Sequence, residues 1–235
     1  MRIMKWYMFI ILALLVLVLI ISSLRIWLLY RQITPLHTYW QKQNTETVAD
    51  ALVYVALGDS AAQGLGASSP AKSYVGLIAE ALAKQQNRPV KIVNLSKSGA
   101  KIKDVLDTQL PQFKQLALPD DAAITIEIGA NDMGSFDQAA FSSQFDQLLA
   151  ALPKQTVVAN MPYFGGGIFR SRERNVQTIN PVIERLTKSA GLRQANLYQA
   201  TKDNDSWRTY AADGFHPNNR GYEGWYRAFW NELSR

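Results

Sequence analysis

Residues 52–60 read Leu-Val-Tyr-Val-Ala-Leu-Gly-Asp-Ser, an apolar run that gives way at once to Gly58, Asp59 and Ser60. A short apolar run that ends in a turn signal predicts a buried β-strand. Runs without alternating polar residues are typical of parallel sheets that are covered on both faces. This stretch therefore predicts a central strand of an α/β domain, with polar groups directly at its carboxyl end.

The pattern repeats along the chain. Further apolar runs predict strands at residues 90–95, 123–128, 156–160 and 196–199, in addition to 52–57. Apolar residues at helical spacing predict helices over residues 71–86, 102–116, 138–152 and 175–190. An aromatic stripe between residues 222 and 233 predicts a last helix that packs on the sheet. Strands that alternate with helices indicate a parallel sheet of about five strands with helices on both faces.

Ligands of open parallel α/β sheets bind beyond the carboxyl ends of the strands, so the residues after each run are the candidates for a site. The first run is followed by Ser60, the second by Gly99 and the third by Asn131. The loop that leads to the last helix carries Asp213 and His216, three residues apart. We therefore expect a hydroxyl, a flexible backbone amide, a side-chain amide and an Asp/His pair along one rim.

These residue types suit nucleophilic catalysis. A serine hydroxyl needs a base to remove its proton, and an imidazole is a better base when a carboxylate orients it. His216 is the only histidine after residue 50, so it is the expected base for Ser60, with Asp213 as its orienting carboxylate. The backbone amides of Ser60 and Gly99 and the side-chain amide of Asn131 are suitable donors for an oxyanion hole.

The four segments 58–60, 99, 129–132 and 213–217 resemble, in order, the sequence blocks of the GDSL or SGNH hydrolases, over roughly residues 52–235. The resemblance implies a three-layer α/β/α, flavodoxin-like fold and the activity of a serine esterase or lipase. It assigns the nucleophile to Ser60, the oxyanion hole to Gly99 and Asn131, and the base and its orienting group to His216 and Asp213. Ala61 stands where the family name has leucine, and it has no chemical role.

Three other functions remain open at this point. The same acyl-enzyme can transfer its acyl group to a sugar or alcohol hydroxyl instead of water. Asp59, Asp132 and Asp213 could instead hold Mg²⁺ in a phosphatase, because carboxylates suit that ion. The domain could also be a binding module without catalysis. The serine mechanism itself requires no cofactor and no metal, and the chain has no cysteine.

The N-terminus has a different composition. Residues 6–24 carry no charge and are mostly Leu, Ile and Val, which is long enough for a helix that spans a bilayer. The run is longer than the apolar part of most signal peptides and lacks their small-residue ending, which favours an uncleaved anchor. We therefore predict a single-pass anchor at 1–31, a polar tether at 32–50 and a catalytic domain at 51–235. Positive charges flank both ends of the span, and the family resemblance favours an extracytoplasmic domain.

Substrate is the least determined property. Tyr163 and Phe164, with Ile168 and Phe169 around the glycines 165–167, are predicted to form an apolar wall that binds an acyl group. An anchor beside such a wall suits esters of lipids or lysophospholipids, or acetyl esters of envelope glycans. Of the formal net charge of +6, residues 51–235 carry only +3, from scattered side chains, which does not suggest nucleic acid as a partner.

Overall fold

The computed structural model describes residues 2–165 and 169–235 of the chain. The strands are β1 Leu52–Gly58, β2 Val90–Asn94, β3 Ala123–Glu127, β4 Val157–Ala159 and β5 Arg193–Ala195. The helices are α1 Arg2–Tyr30, α2 Ile33–Thr45, α3 Ser60–Gln63, α4 Tyr74–Gln86, α5 Ile102–Asp104, α6 Leu110–Lys114, α7 Gln138–Ala150, α8 Arg170–Ser189, α9 Leu197–Asp203 and α10 Asn219–Leu233.

The five strands form one parallel sheet in the order β2-β1-β3-β4-β5. Val55 of β1 lies opposite Val93 of β2 on one side and Ile124 of β3 on the other. This is the flavodoxin-like order, and the chain reverses direction across the sheet between β1 and β3. The predicted fold class is confirmed, and the crevice at the end of β1 and β3 is the expected place for a ligand.

Strand β1 is buried on both faces because its side chains alternate between two cores. Val55 and Leu57 belong to the core beneath α5 to α8. Tyr54 and Ala56 belong to the core beneath α4 and α10. The uninterrupted apolar run at residues 52–57 is thus explained by a helical layer on each side of the sheet.

The last helix packs on the sheet as predicted. Tyr222 and Phe229 of α10 are fully buried, and the Phe229 ring stacks on Tyr74 of α4 with ring centroids 5.0 Å apart. The Tyr222 hydroxyl donates a hydrogen bond to the carbonyl of Leu65. This helix therefore holds the loop that precedes it, which carries Asp213 and His216, against the sheet.

The prediction of the fifth strand is wrong in position. Asn196 is the N-cap of α9, residues 197–199 are its first turn, and β5 lies just before them at Arg193–Ala195. The side chain of Asn196 accepts a hydrogen bond from the backbone N–H of Gln199, which caps the new helix. Leu197 is buried although it belongs to a helix, so a buried apolar residue at this position is not evidence for a strand.

Two predicted helices have different bounds in the structure. The helix predicted at 102–116 is divided, because a π-helical turn at Val105–Gln109 separates α5 from α6. The helix predicted at 175–190 begins earlier, at Arg170. The π turn places the side chain of Gln109 within hydrogen-bond distance of Gly58 at the end of β1.

The predicted polar tether is wrong in structure, because residues 33–45 form helix α2. Trp40 of this helix is almost fully buried, and its indole N–H donates to the carbonyl of Gln63 at 2.9 Å. The side-chain amide of Asn44 exchanges two hydrogen bonds with the backbone of Asn94, at 2.8 and 2.9 Å. Helix α2 is therefore attached to the domain by one apolar face and one side-chain amide, although its composition is mostly polar.

Helix α1 is one continuous helix of 29 residues, about 43 Å long at 1.5 Å per residue. It is long and apolar enough to cross a bilayer, with a mean hydropathy of 2.9 over its most apolar window. Length and composition fit a membrane span and a signal sequence alike. Leu29, near its end, is buried against Leu36 and Leu65.

Candidate active site

The predicted catalytic residues converge on one cavity at the carboxyl end of the sheet. Ser60 is the first residue of α3, which Asp59 alone separates from the end of β1, and Gly99 and Asn131 lie in the loops after β2 and β3. All three line a cavity of about 310 Å³ together with His216. The sequence separates Ser60 from His216 by 156 positions, and the fold brings their side chains into contact.

Three side chains form a hydrogen-bonded relay. The Ser60 Oγ lies 2.9 Å from Nε2 of His216, and Nδ1 of the same ring lies 2.6 Å from Oδ2 of Asp213. An ionised carboxylate can only accept hydrogen bonds, so Nδ1 carries the imidazole proton and Nε2 is free to accept from the serine. This is the arrangement that a serine nucleophile and its base require.

The structure keeps Asp213 in its ionised form. Burial by itself would raise the pKa of this carboxyl, but the hydrogen bond and charge of His216 act against it and lower the pKa below its ordinary value. The backbone N–H groups of Phe215 and His216 add to this by donating to Oδ1 at 3.0 and 3.1 Å. Both oxygens of the carboxylate are therefore fixed, and the imidazole is held in one orientation.

The end of β1, just before Ser60, is held in place by two buried side chains. The amide of Gln109 accepts from the N–H of Gly58 and donates to its carbonyl. A carboxyl oxygen of Glu127 accepts from the N–H groups of Asp59 and Ala62. Burial, reinforced by the charge of Asp59, raises the pKa of Glu127 well above its ordinary value. Sequence reasoning missed both, and the π-helical turn that places Gln109 has no simple sequence signal.

Asp59 orients the side chain of Asn131. Its Oδ2 accepts from Nδ2 of Asn131 at 3.0 Å, while its Oδ1 accepts from the N–H of Ala61. The second N–H of the Asn131 amide donates to the carbonyl of Ala100, also at 3.0 Å. Both amide hydrogens are thus engaged, and an oxyanion would have to share one of them.

The other two expected oxyanion donors, which are backbone N–H groups, differ from the Asn131 amide because they are not already engaged. Among the described residues, neither the N–H of Ser60 nor that of Gly99 has a hydrogen-bond acceptor. Gly99 has φ +80°, a conformation that residues with side chains rarely adopt, while a Cβ at this position would meet no atom of residues 2–165 or 169–235 within 4 Å. Glycine is therefore needed for the backbone conformation that exposes its N–H, and the two amides are open to a developing oxyanion.

The apolar wall of the cavity differs from the predicted one. Leu65, Phe169 and Phe215 line the cavity, and Ile168 lies outside the described residues. Tyr163 and Phe164 line a separate space of only about 30 Å³. Phe164 stacks on Phe215 with centroids 5.6 Å apart, so it supports the wall from behind.

Two residues of the wall come from the N-terminal helices. Tyr30, the last residue of α1, donates from its hydroxyl to Oδ2 of Asp213 at 3.3 Å. Its ring meets the His216 ring edge-on, with centroids 6.2 Å apart. Ile33 of α2 lines the same cavity. Sequence reasoning missed both, because it treated this segment as anchor and tether.

A cation also lines the cavity. The guanidinium of Arg172 lies 5.0 Å from the ring centre of Phe169 and 5.4 Å from that of Phe215. Its Nη1 donates to the carbonyl of Ala130 at 3.3 Å. The sequence indicated only a basic run near this position. The guanidinium packs against the two rings and brings a positive charge to the cavity that Ser60 and His216 line.

The carboxylates considered for a magnesium site have other partners. Asp213 faces His216, and Asp59 faces Asn131. Oδ2 of Asp132 accepts from the N–H of Ile102, and burial raises the pKa of this carboxyl to about 6. Within the described ranges, no cluster of three potential metal ligands is formed.

Comparison with known proteins agrees with this geometry. The family model of the GDSL-like lipase/acylhydrolases matches residues 56–223, which contain Ser60, Gly99, Asn131, Asp213 and His216. Neither α1 nor α2 falls within the match. No curated protein is significantly similar to the chain.

Solved structures share the fold. A member of the lipolytic protein G-D-S-L family from Veillonella parvula is 15% identical over 79% of this chain and 100% of its own, with a TM-score of 0.67. The acetylxylan esterase Axe2 from Geobacillus stearothermophilus is 17% identical over 78% of this chain and 94% of its own, with a TM-score of 0.61. Since the family model covers well over half of the sequence, the chain belongs to the GDSL-like lipase/acylhydrolase family and is an ester-bond hydrolase.

Proposed function

We propose that this hydrolase cleaves carboxylic esters through an acyl-enzyme on Ser60. The observation that carries the proposal is the relay from Ser60 through His216 to Asp213, with contacts of 2.9 and 2.6 Å. Further support comes from the acetylxylan esterase Axe2, in which replacement of a serine or of a histidine by alanine gives what is described as a catalytic mutant.

In the first half-reaction, Nε2 of His216 takes the Ser60 proton as Oγ bonds to the carbonyl carbon of the ester. The carbonyl oxygen becomes an oxyanion that accepts from the N–H groups of Ser60 and Gly99, and Asn131 shares one of its amide hydrogens. The C–O bond to the alcohol then breaks, and His216 returns the proton to the departing oxygen.

In the second half-reaction, His216 removes a proton from a water molecule as the water oxygen bonds to the acyl carbon. The bond to Ser60 Oγ breaks, the serine regains its proton and a carboxylic acid leaves. Another hydroxyl that enters at this stage would make the protein an acyltransferase, and both reactions use the same acyl-enzyme.

We propose a short or single-chain acyl group rather than a large one, because the cavity beside Ser60 is about 310 Å³ and thus at the lower end of the usual range for ligand sites. Phe169 and Phe215 would contact the acyl group, and Tyr163 and Phe164 would act indirectly, by supporting Phe215. The membrane-anchored state, with residues 51–235 on the extracytoplasmic side, is also proposed, and the apolar helix α1 supports the anchoring part.

The test uses the full-length protein in nonionic detergent and a chain-length series of p-nitrophenyl esters. Ser60→Ala is expected to lower kcat/KM by at least about 10³-fold. The control is Ser189→Ala, an exposed serine at the end of α8, which should leave the rate unchanged. A fluorophosphonate should label the native chain and the control but not Ser60→Ala. Equal rates for the two variants would disprove the mechanism, and a product ester formed with an added alcohol in preference to acid would indicate the transferase.

A further inference from the structure

A second cavity lies at the junction of α1 with the catalytic domain. It has a volume of about 860 Å³ and is lined by Arg25 of α1, by Arg208 from the loop before α10 and by Arg220 of α10. Within the described part of the chain, none of the residues that line it is acidic. Among the described residues, no carboxylate lies within 4 Å of any of these three guanidinium groups. We call it the arginine cleft.

The arginine cleft is built by the same segments that build the catalytic cavity. Gln32 lines the cleft, while its neighbours Tyr30 and Ile33 line the catalytic cavity. Gln32 is fixed in place, because its side-chain oxygen accepts from the N–H of Gly66 at 3.1 Å. In the domain, Ala211 and Ala212 line the cleft, directly before Asp213 in the catalytic loop. The cleft is thus a neighbour of the catalytic cavity and separate from it.

The position of Arg25 sets the depth of the cleft relative to a bilayer. It is the first charged residue after the uncharged run 6–24 of α1. The polar layer on each side of a bilayer core is about 5 to 8 Å thick, and a helix rises 1.5 Å per residue. With α1 in a membrane, Arg25 and the cleft that it lines therefore lie at the level of the lipid headgroups.

Trp207 also lines the cleft, and it places a residue of the domain at the same headgroup level as Arg25. Its side chain is 82% exposed, unusual for a tryptophan, and the Arg208 guanidinium lies 5.3 Å from the ring centre. Exposed tryptophans and arginines are typical of surfaces that meet the membrane interface. Anionic headgroups attract such basic groups, and guanidinium groups bind phosphate oxygens in pairs.

From these observations we infer that the arginine cleft is a binding site for the phosphodiester headgroup of an anionic membrane lipid. The inference rests on the proposed membrane anchoring and not on turnover at Ser60. Its function would be to fix the catalytic cavity at the membrane surface through a contact that zwitterionic lipids make more weakly.

The test measures lipid binding to the full-length protein. Native mass spectrometry of the chain in nonionic detergent gives dissociation constants for the first bound phosphatidylglycerol and the first bound phosphatidylcholine. Phosphatidylglycerol is expected to bind at least about 10-fold tighter, the gain from one charge-assisted hydrogen bond. In Arg208→Gln/Arg220→Gln this preference should fall below about 3-fold.

The matched control is Arg185→Gln/Arg227→Gln, which removes the same charge at two exposed arginines outside the cleft and should keep the preference. Equal binding of the two lipids to the native chain, or equal loss in both double variants, overturns the inference. A third arm adds inorganic phosphate at millimolar concentration. Displacement of phosphatidylglycerol in that arm also overturns it, because the ligand would then be a free anion.

Thermal unfolding of each variant guards against a general loss of structure. If Arg208→Gln/Arg220→Gln unfolds early, Arg25→Gln on the other wall replaces it, with the same expected result. Hydrolysis of p-nitrophenyl acetate is measured on the same samples. A chain that binds phosphatidylglycerol without esterase activity would refute the proposed function alone, and an active chain without lipid preference would refute the cleft alone.

Discussion

The cavity beside Ser60 is lined by two regions that are held in place by different kinds of interaction. The loops at the carboxyl end of the sheet bring buried ionisable groups, and burial raises the pKa of Asp59, Glu127 and Asp132. Helices α1 and α2 attach instead through apolar side chains and a neutral amide, with Leu29, Trp40 and Asn44 as the main contacts. The first region carries the proposed catalytic groups at a cost in stability, and the second region contributes stabilising contacts.

The largest expected effect tests the first region, the loops at the carboxyl end of the sheet, which we call the chemical side of the cavity; α1 and α2 form its stabilising side. Asp213→Asn should lower kcat/KM by about 10² to 10⁴-fold, because the amide no longer selects the tautomer of His216 that accepts from Ser60. Steady-state kinetics with p-nitrophenyl acetate measure it. Asp146→Asn, an exposed residue of α7, is the matched control and should be silent. If both variants behaved alike, the loop would have no special chemical role.

The next effect tests the stabilising side. Trp40→Ala should lower the free energy of unfolding by about 3 to 5 kcal/mol, the usual loss for a buried tryptophan. Its neighbour Tyr39 is 40% exposed, and Tyr39→Ala should cost well under half as much. Denaturant unfolding of the full-length chain in detergent gives both values. A small loss for Trp40→Ala would mean that α2 contributes little, and the contrast between the regions would fail.

A smaller, pH-dependent effect tests how much the buried carboxyl groups lower the stability of the fold. The pKa of Asp132 is raised to about 6 from an ordinary value of 3.8. The contribution of Asp132 to the free energy of unfolding is therefore most favourable below pH 3.8. It is lost as the pH rises through 6, because the carboxyl group must then ionise in its buried position. Asp132→Asn should raise the melting temperature at pH 7.5 and have almost no effect at pH 4. Stabilisation of equal size at both pH values would assign the gain to packing instead.

The smallest effect lies where the two regions touch. Tyr30→Phe removes the donor to Oδ2 of Asp213 but keeps the ring beside His216. The carboxylate is then less firmly oriented against the imidazole, so kcat/KM should fall by about 2- to 5-fold through kcat, in line with the modest value of one hydrogen bond. Tyr39→Phe provides the control, as its hydroxyl lies away from the cavity. An unchanged kcat, or a change in KM alone, would limit Tyr30 to a role in packing.

The chemical side could be predicted from the sequence because its signals are local. An apolar run followed by Gly58, Asp59 and Ser60 gives both a strand and the residue at its end. The parallel arrangement of the strands then brings Gly99 and Asn131 to the same rim without knowledge of any contact. Asp213 and His216 are close in sequence, so their pairing needed no long-range information.

The stabilising side could not be predicted in the same way. The segment 32–50 is rich in Gln, Asn and Thr, and only the burial of Trp40 and Leu36 turns it into part of the domain. The amide of Asn44 meets Asn94 across 50 positions, and no local pattern specifies such a contact. The clamp of Gln109 on Gly58 depends on a π-helical turn, and the engagement of both Asn131 amide hydrogens depends on Asp59 and Ala100.

The contact of Asn44 with Asn94 has a practical consequence for shortened forms of the protein. Strand β2 is an edge of the sheet, and helix α2 covers it, with Asn44 and the carbonyl of Gln43 as its polar contacts there. A version that starts after Thr45, as removal of an anchor and tether would suggest, leaves unpaired backbone groups along that edge. Exposed edges of this kind recruit strands from other molecules and lead to aggregation. Soluble expression should therefore begin no later than Ile33, and inclusion bodies from shorter versions would not mean that the domain is unable to fold.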